Sequence, residues 1–384
     1  MQCAYRQIRT AEPEPMTLDD IRLSRLYNQS IFTPKEKDPV GIVRGLVAVQ
    51  GQDYSGGEWS IGLRLPGSKL KDIEKAISGG EIVRTWALRG TLHFLAGSDI
   101  NWIMDLLAPG IIASLERRYK ELEMDSATFR KTNSILEKAL GKSGHLTRGE
   151  LKSIIEKNGI SCAGQRMTFI LHRASLDKVI CFGVKRGKAE THALFDEVVP
   201  RSKPRSREES LVELARRYFT SHGPATIQDY MWWSGLKAAD AKFGPETEES
   251  ALRKVSIEGN TYWMPKESDM NKRKAPVVHL LPPFDSFLIG YKDRKASIDK
   301  TVLKMLRTGG MPDATILIDG NVAGKWSRKS GKDRVTIMLK TFRKLTGEEE
   351  NALQKSFQRY GAFLEKEPES GRWRTSPSSR SSSQ

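Results

Sequence analysis

Apolar positions recur at helical spacing through the first part of the chain and then give way to two short runs of β-prone residues. The spacing predicts helices over residues 18–27, 40–49 and 70–77, the last of them ended by glycine. Two β-prone runs follow at residues 82–87 and 91–96, and the short turn between them predicts a β-hairpin. Helices followed by a single hairpin are the order of elements in a winged-helix domain.

This order recurs in a second region. Two helical segments within residues 147–176 precede β-prone runs at residues 179–184 and 191–195, and a basic turn between the runs contains Lys185 and Arg186. A second winged helix is therefore predicted here.

A third region repeats the pattern, with helical positions from residue 208 to Leu236 and β-prone runs at residues 251–257 and 261–264. A spacing of roughly 80 residues per unit is too long for a short solenoid repeat and indicates separate modules. Each region also contains a threonine three positions before an acidic residue, a helix-start signal. The pairs are Thr17 and Asp20, Thr147 and Glu150, and Thr226 and Asp229.

The last part of the chain changes to strand-like patterns. Apolar runs at residues 277–281, 287–291, 315–318 and 335–339 predict a smaller β-rich domain. The final residues are mainly Ser, Arg, Pro and Gly, which predicts a disordered tail. The fold class is therefore α+β, with tandem winged-helix domains followed by a small, barrel-like C-terminal domain. The boundaries are an N-terminal extension at 1–16, winged helices at 17–125, 126–200 and 201–275, the β-rich domain at 276–366 and the tail at 367–384.

Charge gives the first indication of a partner. The chain has 384 residues, and its 63 Lys and Arg against 47 Asp and Glu give a formal net charge of +16. Such an excess favours a polyanion, because neutralising phosphates releases condensed counterions, although part of it also serves as ordinary solvated surface. We expect duplex DNA as the partner.

Other features of the composition point to the compartment. The three cysteines form no CxxC pair, which indicates a reducing environment and argues against a disulfide scaffold or a zinc module. No apolar run approaches the roughly 18 residues needed to span a bilayer, and the N-terminus lacks the apolar centre of a signal peptide. We expect a cytoplasmic, nucleoid-associated monomer with no membrane contact. Met16 is an alternative candidate for the start of the chain.

Residues 49–59, VQGQDYSGGEW, are the most informative segment for chemistry. Gln50 and Gln52 are two positions apart, which places them on the same side of an extended segment. Gly51 between them leaves room for a ligand or a backbone to approach. Two amides then converge on one small polar target. On spacing alone, glutamines that cap a helix or contact water are the simpler explanation.

The first hairpin supplies candidate DNA contacts. Arg89 lies at its tip, with Thr91 and His93 on one face of its second strand, where they can enter a groove or contact phosphate. A solvated arginine and a hydrogen-bonded histidine are an equally good interpretation. Trp232 and Trp233 are expected to be core residues rather than a base-stacking platform.

Further candidate contacts lie in the second hairpin and near the C-terminal strands. Lys185 and Arg186 form the basic turn of the second hairpin. Asp285 and Arg294, in the segment LPPFDSFLIGYKDR, follow an apolar run, where they line either a cleft or a surface turn.

Other catalytic signatures are missing from the sequence. The six histidines are far apart and form no HxH or HExxH pair, so no metal site is predicted. P-loop and GxSxG motifs are absent too, which leaves ATPase and serine-hydrolase functions without support. No cofactor is expected.

Four segments taken in order resemble the AlkZ-like winged-helix DNA glycosylases: VQGQDYSGGEWSIGLRL, RTWALRGTLHFL, PPFDSFLIGYKDR and ILIDGNVAGKW. The resemblance covers about residues 17–365. It implies that Gln50 and Gln52 match a catalytic Gln-apolar-Gln motif, with Gly51 where the family more often has a larger apolar residue. It also implies three winged helices around a concave basic surface and a C-terminal β-barrel.

The resemblance implies a DNA glycosylase that removes alkylated purines, with N7-alkylguanine as the type substrate and interstrand cross-links as a further one. No lysine is marked for Schiff-base attack, so we expect a monofunctional enzyme. A purine alkylated at N7 is cationic and departs as a neutral base. The protein therefore has only to position water and stabilise the sugar cation. Two other classes stay open, a non-catalytic winged-helix transcription regulator and a protein-interaction scaffold.

Overall fold

Four β-sheets organise the chain in this computed structural model, which describes residues 16–248, 250–267, 275–306 and 312–371. Three of the sheets are small, with two or three strands, and the fourth has five. Helices lie between the sheets along the chain, so the predicted mixture of helices and strands in an α+β fold is confirmed.

The first unit contains six helices and a three-stranded sheet. In chain order its elements are α1 (Leu18–Asn28), α2 (Pro39–Leu46), β1 (Ala48–Gln50), α3 (Tyr54–Arg64), α4 (Leu70–Ser78), β2 (Ile82–Trp86), β3 (Leu92–Ala96), α5 (Ile100–Ser114) and α6 (Glu116–Glu121). Strand β3 lies between β1 and β2 and is antiparallel to both, so the predicted hairpin is confirmed. The helix predicted at residues 40–49 is too long, because α2 ends at Leu46 and β1 follows.

The second unit repeats this order of elements. It contains α7 (Ser126–Ser143), β4 (Leu146–Thr147), α8 (Arg148–Lys157), α9 (Arg166–Leu176), β5 (Ile180–Phe182), β6 (Thr191–Leu194) and the short α10 (Phe195–Val198). The last strand, β6, again lies in the middle of the sheet, between β4 and β5.

The third unit has the same order with a reduced sheet. It contains α11 (Arg207–His222), α12 (Ile227–Ser234), α13 (Ala238–Thr247), β7 (Leu252–Ile257) and β8 (Asn260–Pro265). A single antiparallel bridge between Ala225 and Trp263 stands where the first strand lies in the other two units. Each unit therefore runs helix, strand or bridge, two helices and a hairpin, with the last strand central.

The C-terminal part contains one five-stranded sheet and a long helix. Its elements are β9 (Val278–Leu281), α14 (Ser286–Ile289), α15 (Lys300–Met305), β10 (Thr315–Ile318), β11 (Asn321–Ser330), β12 (Arg334–Thr341), α16 (Gly347–Leu364) and β13 (Glu367–Gly371). The strand order is β13-β12-β11-β10-β9, and only the β12–β13 pair is parallel among these described strands. The sheet is curled, and α16 packs against both of its edge strands.

Several C-terminal predictions need correction. The strand predicted at residues 287–291 is wrong, because Asp285 caps a short helix there by accepting a hydrogen bond from the Phe287 backbone N–H. The tail predicted from residue 367 is wrong for its first five residues, which form β13. Residues 372–384 and the N-terminal residues 1–15 lie outside the described residues.

Helix capping explains where many of these elements begin. The three threonine–acid pairs recognised in the sequence all form reciprocal capping boxes, at the first residues of α1, α8 and α12. Two further boxes, Ser206 with Glu209 and Thr346 with Glu349, start α11 and α16. A cap of this kind contributes about 1 kcal/mol.

Helix α3 joins the first unit to the C-terminal sheet. Trp59 is 1% exposed and donates a hydrogen bond to the Leu280 carbonyl at 2.7 Å. It packs with Tyr360 and Phe363 of α16, so residues of both regions share one hydrophobic core. The hairpin of the first unit contributes Ile82, Phe94 and Ala96 to this core, and its other residues, such as Val83 and Leu95, pack into a second core with the third unit.

Candidate active site

Gln50 and Gln52 lie at the exit from β1 and differ in their surroundings. Gln50 pairs with His93 across the sheet and is 7% exposed, whereas Gln52 is exposed. The Gln50 amide is held on both sides: its Oε1 accepts from the Gln52 backbone N–H at 3.0 Å, and its Nε2 donates a long bond of 3.4 Å to Thr91 Oγ1. The first amide is therefore fixed by the fold, and the second faces solvent.

Gly51 continues the strand pairing between the two glutamines. Its N–H donates to the Leu92 carbonyl at 2.8 Å, and its carbonyl accepts from Arg84 Nε at 3.0 Å. A Cβ at this position would lie 3.3 Å from the Phe94 ring and 3.4 Å from Arg84 Nε. A larger residue would therefore need the Phe94 ring to shift by a few tenths of an ångström, while Arg84 lies at ordinary contact distance and also contacts Glu190 at 2.6 Å.

Thr91 and His93 both form hydrogen bonds within the first unit, and only His93 is buried. Thr91 Oγ1 donates to the Leu88 carbonyl at 3.1 Å while accepting from Gln50. His93 is 3% exposed, and its Nδ1 lies 3.0 Å from the Thr91 carbonyl oxygen. Burial, reinforced by the charge of Arg89, lowers the pKa of His93 to about 3. This burial argues against the predicted DNA contact at His93 and agrees with the alternative of a hydrogen-bonded histidine.

Arg89 turns inward to the third unit. The residue has a left-handed backbone, with φ of 54°, and its Nη1 donates to the Trp232 carbonyl at 3.1 Å and to the Trp233 carbonyl. These carbonyls belong to the last turn of α12, where helix carbonyls lack intrahelical partners and favour cations. Burial lowers the pKa of Arg89. Trp233 is core as predicted, but Trp232 is 45% exposed, so its predicted burial is wrong.

The turn of the second hairpin reaches α3 of the first unit. The Lys185 ammonium lies 3.1 Å from the centroid of the Tyr54 ring. Arg186 is held within its own unit, since it donates to Glu150 Oε1 at 2.9 Å and to the His145 carbonyl at 2.7 Å. Both residues are exposed, as predicted for the turn.

Asp285 and Arg294, the remaining candidate DNA contacts, form hydrogen bonds within the protein. Asp285 is completely buried and forms two hydrogen bonds of 2.8 Å with Arg64 and one of 2.7 Å with Ser60. Burial alone raises the pKa of Asp285, but the charge and hydrogen bonds of Arg64 outweigh burial and lower it. The predicted DNA contact at Asp285 is wrong. Arg294 is half-buried and donates to the Tyr291 carbonyl at 3.4 Å.

Two residues beside the glutamines were missed in the sequence. Tyr54 begins α3 two positions after Gln52, and Glu58 follows one turn later on the same helix face. Glu58 is 4% exposed, and its Oε1 has no hydrogen-bond donor among the described residues. Burial raises the pKa of Glu58 to about 7, and the charge of Lys185 offsets part of the rise. The four-residue spacing of Tyr54 and Glu58 is the sequence signal that could have identified them.

The described residues contain neither a cluster suited to a metal ion nor a helix suited to a membrane. No group of three His, Cys, Asp or Glu side chains suited to a metal ion occurs within the four described ranges. No helix among those ranges combines the length and the apolar character that crossing a bilayer requires.

A family model described as DNA glycosylase AlkZ-like matches residues 43–363. The chain belongs to this family. The matched residues extend from α2 to α16 and include the glutamines and most of the C-terminal sheet. The predicted family membership is confirmed.

Individual relatives agree with this membership. A curated protein from Streptomyces sahachiroi, named interstrand DNA cross-link repair glycosylase, is 25% identical over 324 residues, which are 79% of this chain and 85% of the relative. The solved structure of Streptomyces sahachiroi DNA glycosylase AlkZ has a TM-score of 0.74 at 18% identity, over 94% of this chain and 100% of that chain. At this identity the structural likeness shows the fold alone.

Proposed function

We propose that this protein is a monofunctional DNA glycosylase that hydrolyses the N-glycosidic bond of N7-alkylated purines in duplex DNA. Membership of the AlkZ-like family supports the class of activity. The observation that carries the assignment is the pair of amides flanking Gly51, one fixed and one facing solvent. Interstrand cross-links through N7 present the same glycosidic bond and are a second proposed substrate class.

Hydrolysis of the glycosidic bond to a cationic base needs little assistance from the protein. As the bond between C1′ and N9 breaks, its electron pair passes to the cationic base, which departs neutral, a water oxygen attacks C1′ of the sugar cation, and the proton that this water loses passes to solvent. Gln50 Oε1 already accepts one N–H and keeps a second lone pair, while Gln52 is exposed to solvent. Preorganised amide oxygens of this kind orient the water and stabilise the developing positive charge.

The three units with a common order of elements are proposed to be winged helices that seat the duplex. The net charge of +16 supports binding to the phosphate backbone. We propose that the protein acts as a monomer on chromosomal DNA in the cytoplasm. Water is the proposed nucleophile, so borohydride should trap no covalent complex between the enzyme and the DNA.

Single-turnover release of base from a duplex carrying N7-methylguanine tests the proposal. Gln50→Ala and Gln52→Ala should each lower the rate by about 10²-fold, the loss typical of deleting one preorganised transition-state group. The double variant should raise the activation free energy by less than the sum of the two single increases, because the effects of groups that act together are not additive. Gln354→Ala, which removes an exposed glutamine from α16, is the matched control and should keep the wild-type rate.

Two outcomes would contradict the proposal. Wild-type rates in Gln50→Ala, Gln52→Ala and the double variant would contradict the catalytic role of these two glutamines. Binding of duplex DNA without any base release by the wild-type protein would favour a non-catalytic regulator.

A further inference from the structure

The ring of Tyr54 already holds a cation. Tyr54 is half-buried, and the edge-to-face contact with Phe94, at 5.3 Å between centroids, fixes its orientation. The Lys185 ammonium lies over the ring at 3.1 Å from its centroid. An aromatic face attracts a positive charge through its quadrupole, most strongly where water is displaced. Tyr54 is two positions after Gln52 in the chain.

Glu58 lies one helical turn further along, and its carboxylate is incompletely satisfied. It is 4% exposed, and Oε1 receives no hydrogen bond from any residue that the structure describes. Buried carboxylates are normally paired, because an isolated buried charge is costly. An unpartnered acidic oxygen beside an aromatic face suits a cationic ligand.

Lys185 is the movable member of this group. It lies on the turn between β5 and β6, where residues 184–190 are all exposed. Arg84, the other cation near the Tyr54 ring, is held by the Gly51 carbonyl and by Glu190. Displacement of Lys185 therefore exposes the ring face and leaves Arg84 in place.

Resting on the glycosylase activity proposed above, we propose that Tyr54 and Glu58 form the recognition site for the positive charge of the alkylated base, and that Lys185 occupies this site in the DNA-free protein. An N7-alkylated purine is a planar cation that can stack on Tyr54 while Glu58 supplies the opposite charge. An undamaged purine is neutral and gains only the stacking. The pair thus distinguishes damaged from undamaged bases by charge.

This role affects binding more than bond cleavage. The positive charge leaves the base for the sugar as the glycosidic bond breaks, so an anion beside the base stabilises the bound substrate rather than the transition state. Loss of Glu58 should therefore weaken binding of the lesion without slowing the bound complex, unlike loss of Gln52.

The test is equilibrium binding to two duplexes that the enzyme does not cleave. One carries 2′-fluoro-N7-methylguanosine, in which fluorine suppresses formation of the sugar cation, and the other carries 2′-fluoroguanosine at the same position. The ratio of the two affinities measures charge recognition. Glu58→Gln and Tyr54→Leu should each lower this ratio by about 10-fold, within the range of a desolvated cation–π contact. Tyr54→Phe retains the ring and should retain the ratio.

Lys185 provides an opposite test with a matched control. Lys185→Ala should raise the ratio, because the nearby ammonium repels the cationic base and not the neutral one, whereas Lys188→Ala removes a charge from the same turn and should leave the ratio as in wild type. Equal affinity of the wild-type protein for both duplexes, or an unchanged ratio in both Glu58→Gln and Tyr54→Leu, would overturn the proposal. Charge-dependent binding without base release from N7-methylguanine DNA would instead contradict the glycosylase activity and leave the recognition site standing.

Discussion

Two buried carboxylates adjoin helix α3, and their surroundings are opposite. Asp285 meets Arg64 and Ser60 of that helix, and its oxygens accept bonds of 2.7 to 2.9 Å. Glu58 belongs to the helix itself, and its Oε1 has no donor among the described residues. The pKa of Asp285 is lowered, because Arg64 outweighs the effect of burial, whereas burial raises that of Glu58 to about 7.

Two faces of α3 therefore differ in their contacts: one joins two regions of the protein, and the other adjoins the candidate catalytic residues. The face with Arg64 joins the first unit to the C-terminal sheet, and there the charges are fully paired. The face with Tyr54 and Glu58 adjoins the glutamines and leaves a charge unpaired, as is common at functional sites. One side of α3 therefore holds two regions of the protein together, and the other contains the proposed recognition site.

Breaking the paired carboxylate should have the largest effect. Asp285→Ala leaves the fully buried Arg64 guanidinium without its counterion, and we expect a loss of about 3–5 kcal/mol in the free energy of unfolding, measured by urea denaturation. Replacing both partners by apolar residues of similar volume should restore most of that loss. A change below about 1 kcal/mol, the size expected of an exposed ion pair, would mean that Asp285 and Arg64 do not form this pair in solution.

The unpaired carboxylate should show its effect through pH. Because the folded-state pKa of Glu58 is raised above the usual 4.5 to about 7, the folded protein binds the proton more tightly than the unfolded chain. Stability therefore falls as pH rises from about 4.5 through 7. Glu58→Gln removes this loss, so its advantage over wild type in free energy of unfolding should grow by up to about 3 kcal/mol between pH 5 and pH 8.

The charged neighbours of Glu58 define the control for that measurement. Lys185 and Arg328 lower the pKa of Glu58, and Glu74 and Asp53 raise it. Glu137→Gln changes an exposed carboxylate on α7 and is the matched variant. An advantage of Glu58→Gln that is constant with pH would contradict the raised pKa.

The smallest expected effect concerns Arg89. Its contacts with two α12 carbonyls predict that Arg89→Ala loses about 1–2 kcal/mol of unfolding free energy, in the range of charge-assisted hydrogen bonds. Lys188→Ala removes an exposed hairpin charge and should stay within about 0.5 kcal/mol of wild type. Weaker DNA binding by Arg89→Ala at unchanged stability would instead support the groove contact suggested by the sequence.

Local signals in the sequence predicted much of the fold. The capping boxes at Thr17, Thr147 and Thr226 and the first two hairpins depend on residues close in sequence, and all are present. Helix α3 was missed because its glycines favour a loop by propensity. A Cβ on Gly57 would lie 2.5 Å from the Phe94 ring, so tertiary packing requires glycine inside this helix.

The site was less predictable because its partners are distant in sequence. The glutamine spacing identified residues that lie together at the exit from β1. Arg89, in contrast, contacts a carbonyl 143 positions away, and Arg64 is 221 positions from Asp285. No local pattern shows that a polar residue after an apolar run is fully buried, so the sequence indicated a DNA contact at Asp285, in a cleft or a surface turn.

The close approach at Gly51 constrains how this sequence can evolve. A larger residue there meets the Phe94 ring and Arg84 Nε, and Arg84 is itself fixed by Glu190. Neighbouring positions of this kind are epistatic, since the effect of one substitution depends on the residue at the other. A bulky residue between the glutamines is therefore accommodated more easily once the side chain at position 94 has changed, so the effect of a substitution at position 51 depends on its neighbours.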